Sequence, residues 1–408
     1  MAAGAHETSE RLHALDAVRG FALLAGIVFH ATVSFLPAPN GVPVWIVMDS
    51  QRSVALALVF HVTHIFRMTT FFFVAGYFAH LMLERRGAGA FVRNRLKRIA
   101  LPLVAAWPIV FPSIVAVTIW GALTMQKHGF KLPPPPPYRF PAFPLTHLWF
   151  LYMLLLLYAG ALAVRALVRF ADRKQVFRRV IDRSIHALAR NLLLAPVLAL
   201  PVTAALFWTP GWLAWFGIPT PDSSFLPNAA AATAFGVAFA AGLAAQRQRD
   251  LLLIWQQQWP VHLLWALLAT CAGLALEGVV PVFLPTSDLP AKFILAASYA
   301  LASWCWTFAI VGFALRFLSG ESRARRYVAD ASYWFYLAHL PIVMALQVAV
   351  SQLAWPWPAK FALILGVTFA VLFASYALFV RNSFIGAVLN GKRMDRAAVA
   401  NKLVVHPA

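Results

Sequence analysis

FRMTTFFFVAGYF, residues 66–78, belongs to an apolar run that extends over about 54–82, with His61 and His64 just before it. A helix needs roughly 20 apolar residues to cross about 30 Å of hydrocarbon, so this run is long enough to span a membrane. It nevertheless carries Arg67 and two histidines. Ionisable groups are costly in hydrocarbon, and each one found there is a functional candidate.

Nine further runs of this kind occupy most of the chain, at about 17–37, 99–124, 145–164, 191–209, 226–245, 259–284, 291–315, 331–353 and 359–380. Of the 408 residues, 61% are hydrophobic and 12% charged, with 33 Phe and 15 Trp, a composition far too apolar for a soluble domain. The expectation is an all-α polytopic integral membrane protein of about ten transmembrane helices. It forms one domain over 1–408, with a core at about 11–385. The N-terminus is polar and shows no cleavable signal pattern, so the first span is expected in the mature protein.

The formal charge of +20 follows loop parity. With the N-terminus in the cytoplasm, only Arg52, Lys127, Lys131, Arg139, Lys292 and Lys360 fall in outer loops, and Arg19 and Arg67 fall within spans. All other Lys and Arg lie on the inner side. The positive-inside rule therefore expects both termini in the cytoplasm. The charge reads as topology, with no nucleic-acid partner. Cys271 and Cys305 sit in spans without CxxC spacing and read as packing residues.

Two loops stand out. KLPPPPPYRFPAFP (131–144) is a stiff polyproline segment on the outer side, either a spacer or a substrate guide through Tyr138, Arg139 and Phe143. RALVRFADRKQVFRRVIDRSIHALAR (165–190) alternates apolar residues and arginines at helical intervals. That pattern suits a helix lying on an anionic membrane surface, the alternative being an acidic cytosolic ligand.

In LDAVRGFALLAGIVFHATVSF (15–35), Arg19 and His30 are eleven positions apart. Eleven steps return to within about 20° of one direction while rising about 16 Å. One face thus presents Arg19 near the inner side and His30 beyond the midplane, and Asp16 stands where it can pair with Arg19. His61, His64 and Arg67 come to the same depth from the outside. Arg67 suits a carboxylate, a phosphate or a developing oxyanion, with His64 in support. His61 and His64 lack a matched acidic or thiol ligand, and no metal is expected. His147 begins the fourth span on the outer side, Glu277 lies late in the seventh, and His339 lies in the inner half of the ninth. Together they suggest a polar path between the two faces, with His147, Glu277 and Asp16 assigned to substrate and His339 to the donor. Arg95 and Arg98, in GAFVRNRLKRIALPL (89–103), are either positive-inside flanks or a clamp for a polyanion such as the phosphates of coenzyme A.

Taken in order, Arg19 with His30, the Arg95-Leu-Lys-Arg98 run, HIFRMTTFFFVAGYF, THLWFLYM and ASYWFYLAHLPI resemble the acyltransferase 3 family of membrane O-acyltransferases, and within it the glucan biosynthesis protein C branch. The resemblance covers about residues 11–385. It implies an enzyme of the bacterial inner membrane that takes an acyl group from cytosolic acyl-CoA, the donor substrate, and places it on a sugar hydroxyl outside. No cofactor is implied to be permanently bound. In that branch the donor is succinyl-CoA and the acceptor the osmoregulated periplasmic β-glucan. Acetyl-CoA with another surface glycan as acceptor is the close alternative, and a transporter or flippase is the alternative from another class. The family's catalytic histidine falls on His30, its partner arginine on Arg19, and its Arg-x-x-Arg pair on Arg95 and Arg98. The family's usual Ser-Gly after the Phe run is Ala75-Gly76 here. Expected partners are the acyl-CoA, the glycan and the bilayer; the resemblance leaves a homo-oligomer open.

Overall fold

The computed structural model describes residues 2–38, 45–127 and 140–390. The polyproline run with Tyr138 and Arg139 lies outside the described residues. Every regular element described is helical: α1 (Ala2–Thr32), α2 (Val54–Arg95), α3 (Leu101–Lys127), α4 (Trp149–Ala171), α5 (Val176–Arg190), α6 (Leu194–Phe207), α7 (Ala229–Arg247), α8 (Asp250–Glu277), α9 (Leu289–Phe317), α10 (Arg323–Val350), α11 (Trp357–Ser375) and α12 (Phe384–Asn390). Polar residues start several of them. The side chains of Ser53, Asn228, Asp288 and Ser322 each accept a backbone N–H in the first turn of α2, α7, α9 and α10.

Among the described residues, eight helical stretches are long and apolar enough to cross a membrane, or nine if the bent pair α5–α6 makes one crossing. The longest, 54–127, has 74 residues. Straight, it would measure about 111 Å, well over three hydrocarbon thicknesses. It folds back at Gly87, whose φ of 74° is open to glycine at little cost. Arg95 thereby returns to within 3.0 Å of Met82 Sδ, so this stretch supplies two of the expected spans. The expected fifth span is shorter than the pattern implied. It is the 14-residue α6, turned 106° from the amphipathic α5. The stretch 165–190 is therefore not one surface helix: its first part ends α4, and a turn at Asp172–Gln175 separates it from α5.

α1 packs between α2 and α10, α2 runs against α7, and α9 joins α8, α6 and α2. Membrane helices gain little from hydrophobicity alone, because lipid is as apolar as the core, so close backbone approach matters most. Gly76 and Gly242 provide it for α2 and α7: a Cβ on Gly76 would run into the Phe239 carbonyl, and one on Gly242 into that of Phe73. Stacked rings fill the space beside these crossings, including Phe72 with Phe235 at 4.7 Å and Trp255 with Phe308 at 4.5 Å.

The segment 45–53, between α1 and α2, is pinned from below. Lys360 is not a solvated loop cation. It lies fully buried in the first turn of α11, with Nζ 2.8 Å from Asp49 Oδ1 and 3.2 Å from Ser50 Oγ. Burial raises the Asp49 carboxyl above its ordinary range, and the Lys360 ammonium pulls it part of the way back.

Candidate active site

Among the described residues the helices surround a cavity of about 1580 Å³. At one end its wall is basic, with Arg19 from α1, Arg85 and Arg86 from α2, Lys97 and Arg98 before α3, and Arg326 and Arg381. Two short π-helical turns, Leu96–Ala100 and Tyr376–Val380, border this mouth, as such irregularities often do at functional sites. Arg95 is held firmly there. Its guanidinium lies 5.0 Å from the Phe91 ring and 4.9 Å from that of Tyr158, and it donates to Tyr158 Oη at 3.4 Å. Arg98 is half-buried beside it. Arg19 pairs with Asp16 at 3.3 Å and donates to the Ala329 carbonyl at 3.2 Å.

Deeper in the cavity, α1, α2, the short helical turn just before α4, and α10 bring together His30, His64, Arg67, His147 and His339. The His30 ring is 5.3 Å from His339, and His339 is 5.2 Å from His147. Acceptor-only partners fix most of the tautomers. His339 Nδ1 faces two backbone carbonyls, Phe335 at 3.0 Å and Tyr336 at 2.8 Å, so in the neutral ring it carries the proton and leaves Nε2 as an acceptor. His147 Nε2 faces the Leu337 carbonyl at 3.3 Å, and its buried Nδ1 has no partner. Tyr299 donates to the His64 carbonyl at 3.2 Å, so its oxygen accepts from His64 Nδ1 at 3.1 Å. His30 is different: its Nδ1 is buried and unpartnered, and its imidazole makes no hydrogen bond among the described residues.

Arg67 is 9% exposed and forms no ion pair among the described residues. Its guanidinium lies 4.1 Å from the Phe29 ring, donates to the Gly26 carbonyl at 3.5 Å and leaves Nε unpartnered. Gly26 makes room for it, since a Cβ there would stand 3.2 Å from Arg67 Nη1. A buried cation without a counter-charge is costly, and an anion placed beside it would lower that cost.

At the end away from the arginines, the loop 209–222 closes the cavity with Trp212, Phe216 and Asp222. Burial raises the carboxyl of Asp222 above its ordinary range.

Most of the expected site residues therefore share one cavity: Arg19, His30, His64, Arg67, Arg95, Arg98, His147 and His339. Three residues expected at the site lie outside the lining of this cavity. Glu277 ends α8 beside the Trp215 backbone and does not line the cavity. Asp16 serves Arg19 from outside the lining. His61 also faces away, its Nδ1 bound to the Trp215 carbonyl at 3.0 Å. His339 and His147, expected at different depths, meet ring to ring. Sequence reasoning missed Tyr299, Gln347 and Trp45. Trp45 and the buried Gln347 bond to each other at 2.8 Å, and Gln347 also donates to the His30 carbonyl at 2.9 Å. Neither carries a charge that would mark it within an apolar chain.

The chain matches the family model described as an acyltransferase domain over residues 12–377. It is also similar to the glucans biosynthesis protein C of Shigella dysenteriae serotype 1, 28% identical over 151 residues. The corresponding protein of Escherichia coli K12 is 27% identical over the same length. These alignments cover 36% of this chain and 37% of each relative, so the match spans little more than a third of the relatives' length. No solved structure matches. The extent of the domain match, over helices that enclose the histidine and arginine cluster, establishes that this chain belongs to the acyltransferase 3 family of membrane acyltransferases.

Proposed function

We propose that this protein transfers a succinyl group from cytosolic succinyl-CoA to a hydroxyl of a periplasmic β-glucan, across the inner membrane and with both termini in the cytoplasm. The observation that carries this reading is the continuity of one cavity from the arginine-rich mouth to the unbonded imidazole of His30. Arg95, Arg98 and Arg19 hold the phosphates of the donor, and the pantetheine arm follows the roughly 16 Å of α1 between Arg19 and His30. His339 borders the thioester end of the donor.

His30 takes the proton of the glucan hydroxyl as its oxygen adds to the thioester carbonyl. Collapse of the tetrahedral adduct breaks the carbon–sulfur bond. The proton held by His30 then passes to the departing thiolate, giving the ester and free coenzyme A. His147 supports the acceptor. Arg67, close to His30 and without a counter-ion among the described residues, holds the distal carboxylate of the succinyl group, which favours succinyl over acetyl. The names of the similar glucans biosynthesis proteins support the choice of acceptor.

The test is the mass of the periplasmic glucan pool from cells with this protein, with its His30→Ala form, or with neither. Succinyl adducts are expected only with the intact protein. An unmodified glucan alongside abundant folded protein would sink the assignment and bring acetylation of another surface glycan, or transport, to the front.

A further inference from the structure

Three tryptophans line the cavity: Trp45, Trp149 and Trp212. The last two are 7% and 2% exposed and belong to the packing, whereas Trp45, though it packs against the apolar clusters around Phe29 and Met48, is only half-buried. Its ring centroid lies 6.4 Å from that of His30, with 27° between the planes. Its one polar atom is already engaged, because Nε1 donates to Gln347 Oε1 at 2.8 Å. What remains for the cavity is an apolar aromatic face.

That face is held in place from two sides. Gln347 is fully buried and donates to the carbonyls of His30 at 2.9 Å and Ala31 at 3.2 Å, so one side chain sets both the indole and the helix that bears His30. Four residues on, Asp49 is locked to Lys360, and the backbone of Ser50 donates to the Ser351 carbonyl at 3.0 Å.

A rigid aromatic face in a cavity that also carries imidazoles and a guanidinium suits a ligand with one apolar side and a polar rim. The C–H face of a pyranose ring is such a surface, and aromatic side chains make large contacts at low entropic cost. We propose that Trp45 is the platform on which the acceptor sugar stacks, presenting an edge hydroxyl to His30. This rests on the glycan-acylation reading and adds to it the residue that selects a sugar as acceptor.

The test uses the full-length protein in detergent, with thiol release from succinyl-CoA measured against periplasmic β-glucan concentration. Trp45→Ala is expected to raise the KM for glucan about tenfold while the KM for succinyl-CoA stays within about twofold of wild type. Trp45→Phe, which keeps an aromatic face, restores most of the loss and shows that the fold is intact. An unchanged glucan KM in Trp45→Ala overturns the platform alone. Equal rises in both KM values, or a Phe variant as poor as the Ala variant, overturn it too by assigning Trp45 to packing. Wild-type protein without glucan-dependent thiol release removes the glycan reading, and the platform with it.

Discussion

The imidazoles of His30 and His339 stand 5.3 Å apart, yet only His339 is hydrogen-bonded, its Nδ1 bound to the carbonyls of Phe335 and Tyr336. A ring held in this way keeps its orientation and one proton. An unbonded ring can turn its nitrogen to substrate and exchange a proton with it.

That asymmetry predicts unequal losses. His30→Ala should lower kcat by about 10²–10⁴-fold, the range for losing a general base. His339→Asn retains an N–H donor for the two carbonyls and should stay within about tenfold of wild type. Single-turnover thiol release would measure both. If His339→Asn were the more damaging change, the base would be His339.

Arg67 predicts a donor preference. Loss of a charge-assisted pairing is worth about 1.5–3 kcal/mol, so Arg67→Ala should reduce succinyl transfer about 10- to 100-fold more than acetyl transfer. Competition between the two thioesters in a single assay would read this ratio. Equal losses would place Arg67 on the oxyanion, or in the structure alone.

The Asp49–Lys360 pair is 1% and 0% exposed. Removing one partner leaves a buried charge alone, so Asp49→Leu or Lys360→Met should each cost about 3–5 kcal/mol. The double change Asp49→Leu with Lys360→Met should recover much of that loss, because apolar side chains of similar size often replace a buried pair at little cost. Thermal unfolding in detergent would decide. Additive losses would mean that the surrounding serine and backbone contacts, rather than charge balance, hold the 45–53 segment.

Gly76 and Gly242 set the α2–α7 crossing. Gly76→Val should destabilise by at least about 1–3 kcal/mol, the usual cost of overpacking, since the new side chain meets the Phe239 carbonyl. Gly160→Ala, where a Cβ meets nothing within 4 Å, should be near neutral. The yield of monodisperse protein and its melting temperature would compare the two.

How much of this was legible in the sequence differs by element. Hydropathy is a property of each segment by itself, so the spans were readable apart from the shortened α6. Arg19 and His30 were placed on one cavity wall because a single helix fixes their relation through its own period. The distribution of Lys and Arg pointed to an orientation by the same local reasoning. Between helices no such period operates. Nearly every face is apolar, and the outside of the bundle faces a solvent no more polar than its core, so the pattern of side chains does not separate lipid-facing from partner-facing positions. For that reason the tertiary structure alone decided that His147 and His339 meet, that Glu277 and His61 face away, and that Arg67 is left without a counter-ion among the described residues. It also decided that Trp45 and Gln347 stand beside His30, because α10 packs against α1 and the Asp49–Lys360 pair fixes the segment that bears Trp45, and no single segment encodes those contacts.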